Sequence, residues 1–262
     1  MQFPSVRPGQ GGAGHVKRFV VALAGLAAAA RAKEGSVLPC RPTIACTAQI
    51  ETAGLFILEA GYLLRKLDKQ VTQHSVPFLL KLSFNDWLQG QLGSNGPTVT
   101  DGTLPARFHD DVTAGIKARL FRRESTAISV SATLSAPLPA QPGYLRTWDA
   151  FFVGYLSQNL PLGVSADFNV GLDLWRIDGS PIAQPWVSLA LDRELPAGFT
   201  AMAEVYRFEG AQPVSARDAG VLLALSYNVA RWLVLDGGAD FGLLRERSLS
   251  IFADLTLSPA HL

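Results

Sequence analysis

Residues 110–137 read DDVTAGIKARLFRRESTAISVSATLSAP. In the first limb Val112, Ala114, Ile116, Ala118 and Leu120 fall on one face, and Asp111, Thr113, Gly115, Lys117 and Arg119 on the other. In the second limb Ile128, Val130, Ala132, Leu134 and Ala136 alternate with Ser129, Ser131, Thr133 and Ser135. A period of two in both limbs, with only Arg122, Arg123 and Glu124 between them, predicts two long antiparallel strands joined by a tight polar turn. A ribbon with one apolar and one polar face fits two environments. In a soluble sandwich or small barrel the apolar face packs inward; in a transmembrane barrel it faces lipid and the polar face lines the lumen. Length separates the two, because a strand tilted across a bilayer needs about 9 to 11 residues and a globular strand about 5 to 6. These limbs have the longer span.

The same alternation runs on either side of this hairpin. Leu55 to Lys66 sets Phe56, Leu58, Ala60, Tyr62 and Leu64 against Glu59 and Arg65, and Val76 to Phe84 sets five apolar residues against Lys81 and Ser83. Trp87 to Gly93 follows the turn Asn85-Asp86, and then the longest loop, SNGPTVTDGTLPARF, occupies 94–108. Beyond the hairpin come Trp148 to Ser157, Val164 to Trp175, Trp186 to Arg193, Phe199 to Phe208, Ala219 to Asn228, Trp232 to Leu243 and Leu249 to Leu257, with IDGSPIAQ (177–184) as a loop. About twelve strands result, an even number that returns the chain to its starting side, as bacterial barrels require. Tight turns at Asn85, Arg122, Asn159, Pro196 and Ala230 alternate with longer connections. That is the asymmetry of short periplasmic turns and longer external loops. The five Trp (87, 148, 175, 186 and 232) fall near strand ends, where interfacial girdles place them. The fold expected is an all-β, transmembrane, antiparallel up-and-down barrel over 52–257, followed by a short tail at 258–262.

Composition agrees. The 262 residues are 48% hydrophobic and only 17% charged, against roughly 25% charged in soluble domains. Mean hydropathy is +0.19. A net charge of +1 without Lys/Arg runs excludes a nucleic-acid footprint. Residues 1–32 read as a leader: Lys17-Arg18, the apolar core FVVALAGLAAAA and the step Ala30-Arg31-Ala32 form a secretory signal with cleavage before Lys33. Gly9 to Gly14 spell GxGxxG, but no strand precedes them and a signal core follows, so the dinucleotide context is missing. Residues 33–51 are expected as a short periplasmic segment. It holds the only cysteines, Cys40 and Cys46, for which an exported protein permits a disulfide, with free thiols as the alternative.

Opposite the apolar faces stand Glu59, Lys81, Asp111, Lys117, Arg119, Asp167, Asp173, Glu204, Asp236, Asp240 and Asp254, the candidate lumen-lining residues. Mixed charges of this kind either line a water-filled passage or pair into a self-neutralising plug. Lys117, Arg119, Asp167 and Asp173 are the leading candidates to meet a solute, with the 95–108 loop as a filter. No catalytic residues are assigned: His74 and His109 lack a nucleophile motif, and a hydrolase needs a nucleophile, a base and an orienting group. No metal site is read either, since two cysteines without a nearby His do not close a zinc site and Asp101, Asp110 and Asp111 lack a ligand-loop spacing. No cofactor is expected.

LFILEAGYLLRK, VPFLLKLSFNDWLQGQLG, TDGTLPARFHDDVTAGIKARL, ISVSATLSAPLP and LPLGVSADFNVG follow one another in this order. Over residues 47–257 the chain thereby resembles the outer-membrane transporter-like proteins associated with meta-pathway phenol degradation. The resemblance implies a barrel in the outer membrane, surrounded by lipid, with a role in passage of small molecules, hydrophobic or aromatic ones included. It carries over no catalytic residues. The chain departs from such barrels in ending LTLSPAHL, without their terminal aromatic. The alternative is a non-conducting, structural or surface-exposed barrel that binds a partner through its loops.

Overall fold

A computed structural model describes residues 39–40, 44–66, 72–101, 107–108, 111–137, 148–177, 180–209, 219–243 and 248–258. The leader and, apart from Ser258, the tail lie outside the described residues.

The chain forms a closed antiparallel barrel of twelve strands. They are β1 (Phe56–Lys66), β2 (Thr72–Ser75 and Phe78–Asn85), β3 (Leu88–Ser94 and Pro97–Thr100), β4 (Arg107–Phe108 and Asp111–Arg123), β5 (Thr126–Pro137) and β6 (Asp149–Leu160). The second half holds β7 (Val164–Ile177), β8 (Ser180–Glu194), β9 (Phe199–Phe208), β10 (Ala219–Ala230), β11 (Leu233–Gly242) and β12 (Leu249–Leu257). Each strand pairs with its neighbours in sequence, and β12 closes on β1 from Leu58↔Leu257 to Lys66↔Leu249. Closure pairs the first strand with the last instead of leaving both as open edges, whose unpaired backbone groups a hydrocarbon environment would penalise.

The period of two becomes inside and outside. Ile116 is 56% exposed and Lys117, the next residue, 1%. Val130, Leu134, Val170, Leu189, Val205, Leu225 and Ile251 are likewise exposed on the outer wall. Among the described residues Glu59, Lys81, Gln89, Ser129, Asn169, Ser188, Glu204 and Thr256 are buried on the inner wall. A soluble protein places these classes the other way round, so the apolar rows are those of a transmembrane barrel.

Two tight turns share one spelling. LPLG (160–163) and LPAG (195–198) each close with a single 3-10 turn, in which Leu162 (φ 66°) and Ala197 (φ 63°) precede Gly163 (φ 69°) and Gly198 (φ 83°). Two successive left-handed residues match the twist of the flanking strands, and glycine takes the second place without a Cβ penalty.

Several expectations are corrected. β4 runs on to Arg123, so the hairpin turns at Glu124-Ser125; a bulge between Arg119 and Phe121 leaves both Leu120 and Phe121 exposed. β8 begins at Ser180, so the connection from β7 shrinks to positions 178–179 and 180–184 belong to the wall. The 95–108 stretch is not only a loop. Pro97–Thr100 pairs with Thr72–Ser75 and with Arg107–Phe108, extending the barrel at that end. β2 is interrupted at Val76-Pro77, where proline has no N–H for the ladder, although Pro77 O still accepts from Gly61 N at 3.1 Å. Trp87, Trp148 and Trp232 are exposed near strand ends, but Trp175 and Trp186 belong to the inward rows. Trp186 is buried over Gly171, where an added Cβ would come within 2.0 Å of its ring.

Candidate functional site

The described part of the 33–51 segment does not stand outside the barrel. Cys40 N donates to Glu59 Oε1 at 3.0 Å on β1; Ile44 N and Ala45 N donate to Glu204 Oε2 and Oε1 at 2.9 and 2.6 Å on β9; and Ala48 N donates to Ser157 Oγ at 2.6 Å on β6. In the other direction Ser129 Oγ on β5 donates to Ala48 O at 2.5 Å, and Lys117 Nζ on β4 donates to Thr47 O. Partners on widely separated strands of one closed ring place the segment across the interior. Ala45, Ala48 and Ile50 are buried there. The segment has no alternation to pair as a strand, and backbone N–H and C=O groups of its described residues find partners on the polar inner wall.

Cys40 and Cys46 are joined by a disulfide with Cα atoms 4.8 Å apart. Lys81 Nζ lies 3.8 Å from Cys40 Sγ, and Lys117 Nζ the same distance from Cys46 Sγ. Lys81 also pairs with Glu59 Oε1 at 2.5 Å and Glu51 Oε1 at 3.3 Å, and Gln89 Nε2 donates to Glu51 Oε2 at 2.5 Å. Two carboxylates around one ammonium, all nearly sealed from solvent, satisfy one another; apart, each would be a costly buried charge. Lys117 stands over the Tyr155 ring, 4.5 Å from its centroid, and Tyr155 OH bonds Ser131 Oγ at 2.8 Å.

The remaining acids line the rest of the wall. Asp167 accepts from Ser157 Oγ, Asp173 Oδ1 from Trp186 Nε1 at 2.9 Å, and Asp240 Oδ1 from Tyr206 OH at 2.8 Å. Asp236 and Asp254 are direct cross-strand partners, both buried. Arg119 lies near the tight-turn end, half-buried, with its backbone N donating to Trp87 O at 2.8 Å. Asp111 pairs with Pro137 in the ladder, and its side chain lies outside the described residues. The segment thus draws Glu59, Lys81, Lys117 and Glu204 into one constellation and touches Asp167 through Ser157. Asp173 is held instead by Trp186.

Sequence reasoning missed an aromatic group on the inner wall of β6 to β9. Phe151 meets Trp175 edge-on at 5.1 Å between centroids, and Phe208 lies 5.8 Å from Trp186 and 5.9 Å from Tyr206. The parity of Trp175 with Asp173 was its signal. Two recesses of about 620 and 530 Å³ run along the outer wall instead, lined by Leu82, Ile116, Leu134, Phe152 and Val170. They lack converging polar groups and face the membrane.

No family model matches this chain, and no curated protein matches it. Solved structures do. An outer-membrane channel from Pseudomonas putida F1 superposes with a TM-score of 0.61 at 11% identity, covering 80% of this chain and 97% of that one. The NanC porin (TM-score 0.54, 8% identity) and the KdgM porin (0.54, 10%) each cover 77% of this chain and are themselves covered to 99%. At such identities the likeness shows the fold, that of outer-membrane channel barrels.

Proposed function

We propose that the chain is an outer-membrane channel for passive passage of small molecules, with lipid around it and no catalytic step. The observation that carries this reading is the inverted wall: exposed apolar rows outside, and charged, hydroxyl and amide side chains inside a closed ring. The interior, not the 95–108 stretch, is the filter, because residues 39–40 and 44–51 bond to its wall on several strands. Phe151, Trp175, Trp186, Tyr206 and Phe208 offer ring surfaces toward the longer connections, consistent with hydrophobic or aromatic solutes among those passed. Outer-membrane residence and the likeness to phenol-pathway transporters belong to the same reading.

The segment also favours a second reading, a barrel permanently filled that serves as a structural or surface-exposed element. Planar-bilayer recordings separate the two. The channel reading expects conductance from the intact barrel, rising severalfold when residues 33–51 are deleted. Silence from both forms, in bilayers shown to contain folded protein, rejects it.

A further inference from the structure

On the inner wall of β7 and β8, the side chains of Asn169, Trp175, Gln184 and Ser188 keep polar atoms that are buried and unpartnered. Asn169 is 0% exposed with neither Nδ2 nor Oδ1 bonded; Trp175 Nε1 has no acceptor; and Gln184, 3% exposed, has none for Nε2. They form a track. Gln184 is the direct cross-strand partner of Asp173, and Trp175 is the next inward residue after Asp173 on β7. Two N–H donors without acceptors therefore stand on adjacent rungs, at the end from which the longer connections leave. Asn169 lies deeper, between Tyr155 and Ser188 in the ladder. At the rise of a strand it is about 20 Å from Trp175 along the wall.

The surroundings are specific. Phe151 packs edge-on against Trp175, and Trp186 stands over Gly171 beside Phe208. Trp186 spends its own N–H on Asp173 Oδ1. Native proteins rarely bury a donor without a partner, so two neighbouring orphan donors call for an acceptor from outside the chain.

We infer that this β7–β8 wall is a binding site for a neutral ring compound bearing a hydroxyl or carbonyl oxygen. The oxygen accepts from Trp175 Nε1 and Gln184 Nε2, and the ring lies against Phe151 and Trp186. The class follows from the groups present. Both outer orphan atoms donate, so the ligand accepts; the Asp173 carboxylate between them opposes an anionic acceptor; and the flanking rings suit a flat apolar body. Asn169, offering one donor and one acceptor, receives the same oxygen further in, next to the segment. This inference rests on the interior being a solute path, but its test does not require conduction.

Full-length barrel in nanodiscs is titrated with benzyl alcohol, toluene and benzoate, which share a ring, by ligand-detected NMR with empty nanodiscs subtracted. Benzyl alcohol is expected to bind at least tenfold more tightly than either of the others. Trp175→Phe and Gln184→Leu each reduce its advantage over toluene about fivefold, the worth of one hydrogen bond. Gln184→Glu, isosteric but without the donor, does the same. Heat-modifiable gel migration shows which variants are folded, and Trp175→Phe is the mildest of the three. Equal binding of benzyl alcohol and toluene by the parent barrel, or an undiminished advantage in any folded variant, overturns the inference. A barrel that binds benzyl alcohol as expected and yet never conducts overturns the channel reading alone.

Discussion

Lys81 and Asn169 both point into the same barrel and both are sealed from solvent, yet their surroundings are opposites. Lys81 on β2 is held by Glu51 and Glu59 and lies against Cys40, while Asn169 on β7 has neither of its amide atoms bonded. The contrast extends to their neighbourhoods. Around Lys81 and Lys117 the wall and the segment exchange donors for acceptors almost group for group; from Asn169 to Trp175 the wall retains polar atoms that the chain leaves unanswered. A buried polar group that is satisfied fixes structure, and one that is not marks a place where something else binds.

The largest effect expected is at the satisfied end. Lys81→Met removes the ammonium that bridges Glu51 and Glu59 and leaves both carboxylates buried without it. A loss of about 3–5 kcal/mol is expected in urea unfolding of the refolded barrel. The double change Lys81→Met with Glu59→Gln recovers part of it. A loss below about 1 kcal/mol would show that the two regions do not differ in the way described.

The outer wall supplies the next test, because inside and outside alternate residue by residue. Ile116→Arg places a charge in lipid and should cost about 2–4 kcal/mol if near mid-bilayer, read as folding yield into vesicles of defined lipid. Full tolerance of Ile116→Arg would mean that the rows are assigned to the wrong faces. A smaller effect comes from Glu204, which anchors the middle of the segment through two adjacent N–H groups. Glu204→Leu strands both donors and should cost about 1.5–3 kcal/mol for the lost charge-assisted bonds. The segment should then become more accessible to protease, and conductance should rise; unchanged proteolysis would mean that the other anchors hold it without Glu204.

Much of this barrel could be read from residue patterns, and the failures share a cause. Phe199–Phe208 and Leu249–Leu257 have the bounds that alternation predicts, since Thr200 and Glu204 in the one and Ser250, Asp254 and Thr256 in the other hold the polar phase between apolar neighbours. The bulge at Arg119/Phe121 was invisible, because one extra residue shifts the phase without leaving a turn signature. Two arguments competed over Trp175 and Trp186. Position near a strand end put them in a girdle, whereas parity put them inside, and parity prevailed because Gly171 leaves room for an indole in the interior. The segment's location could not be read by periodicity at all. Its clue was chemical: the inward rows carry more buried charge than neighbouring strands can neutralise, and a segment with free backbone donors and a spare Glu51 is what completes Lys81 and Glu204.

The smallest expected effect is the most diagnostic of the contrast. Asn169→Leu keeps the side-chain volume roughly and removes two polar atoms that the folded chain never pairs, so no hydrogen bond is lost within the protein. Where a partnered residue would be missed, this one should be neutral or stabilising, by up to about 1 kcal/mol, in the same urea assay that reports the collapse of Lys81→Met. Binding moves the other way: the variant should take up benzyl alcohol more weakly than the parent barrel while folding at least as well. Stability gained together with binding lost is the signature of a group kept for a ligand. A destabilisation of more than about 1 kcal/mol would instead make Asn169 part of the scaffold, and the two regions would then differ only in degree.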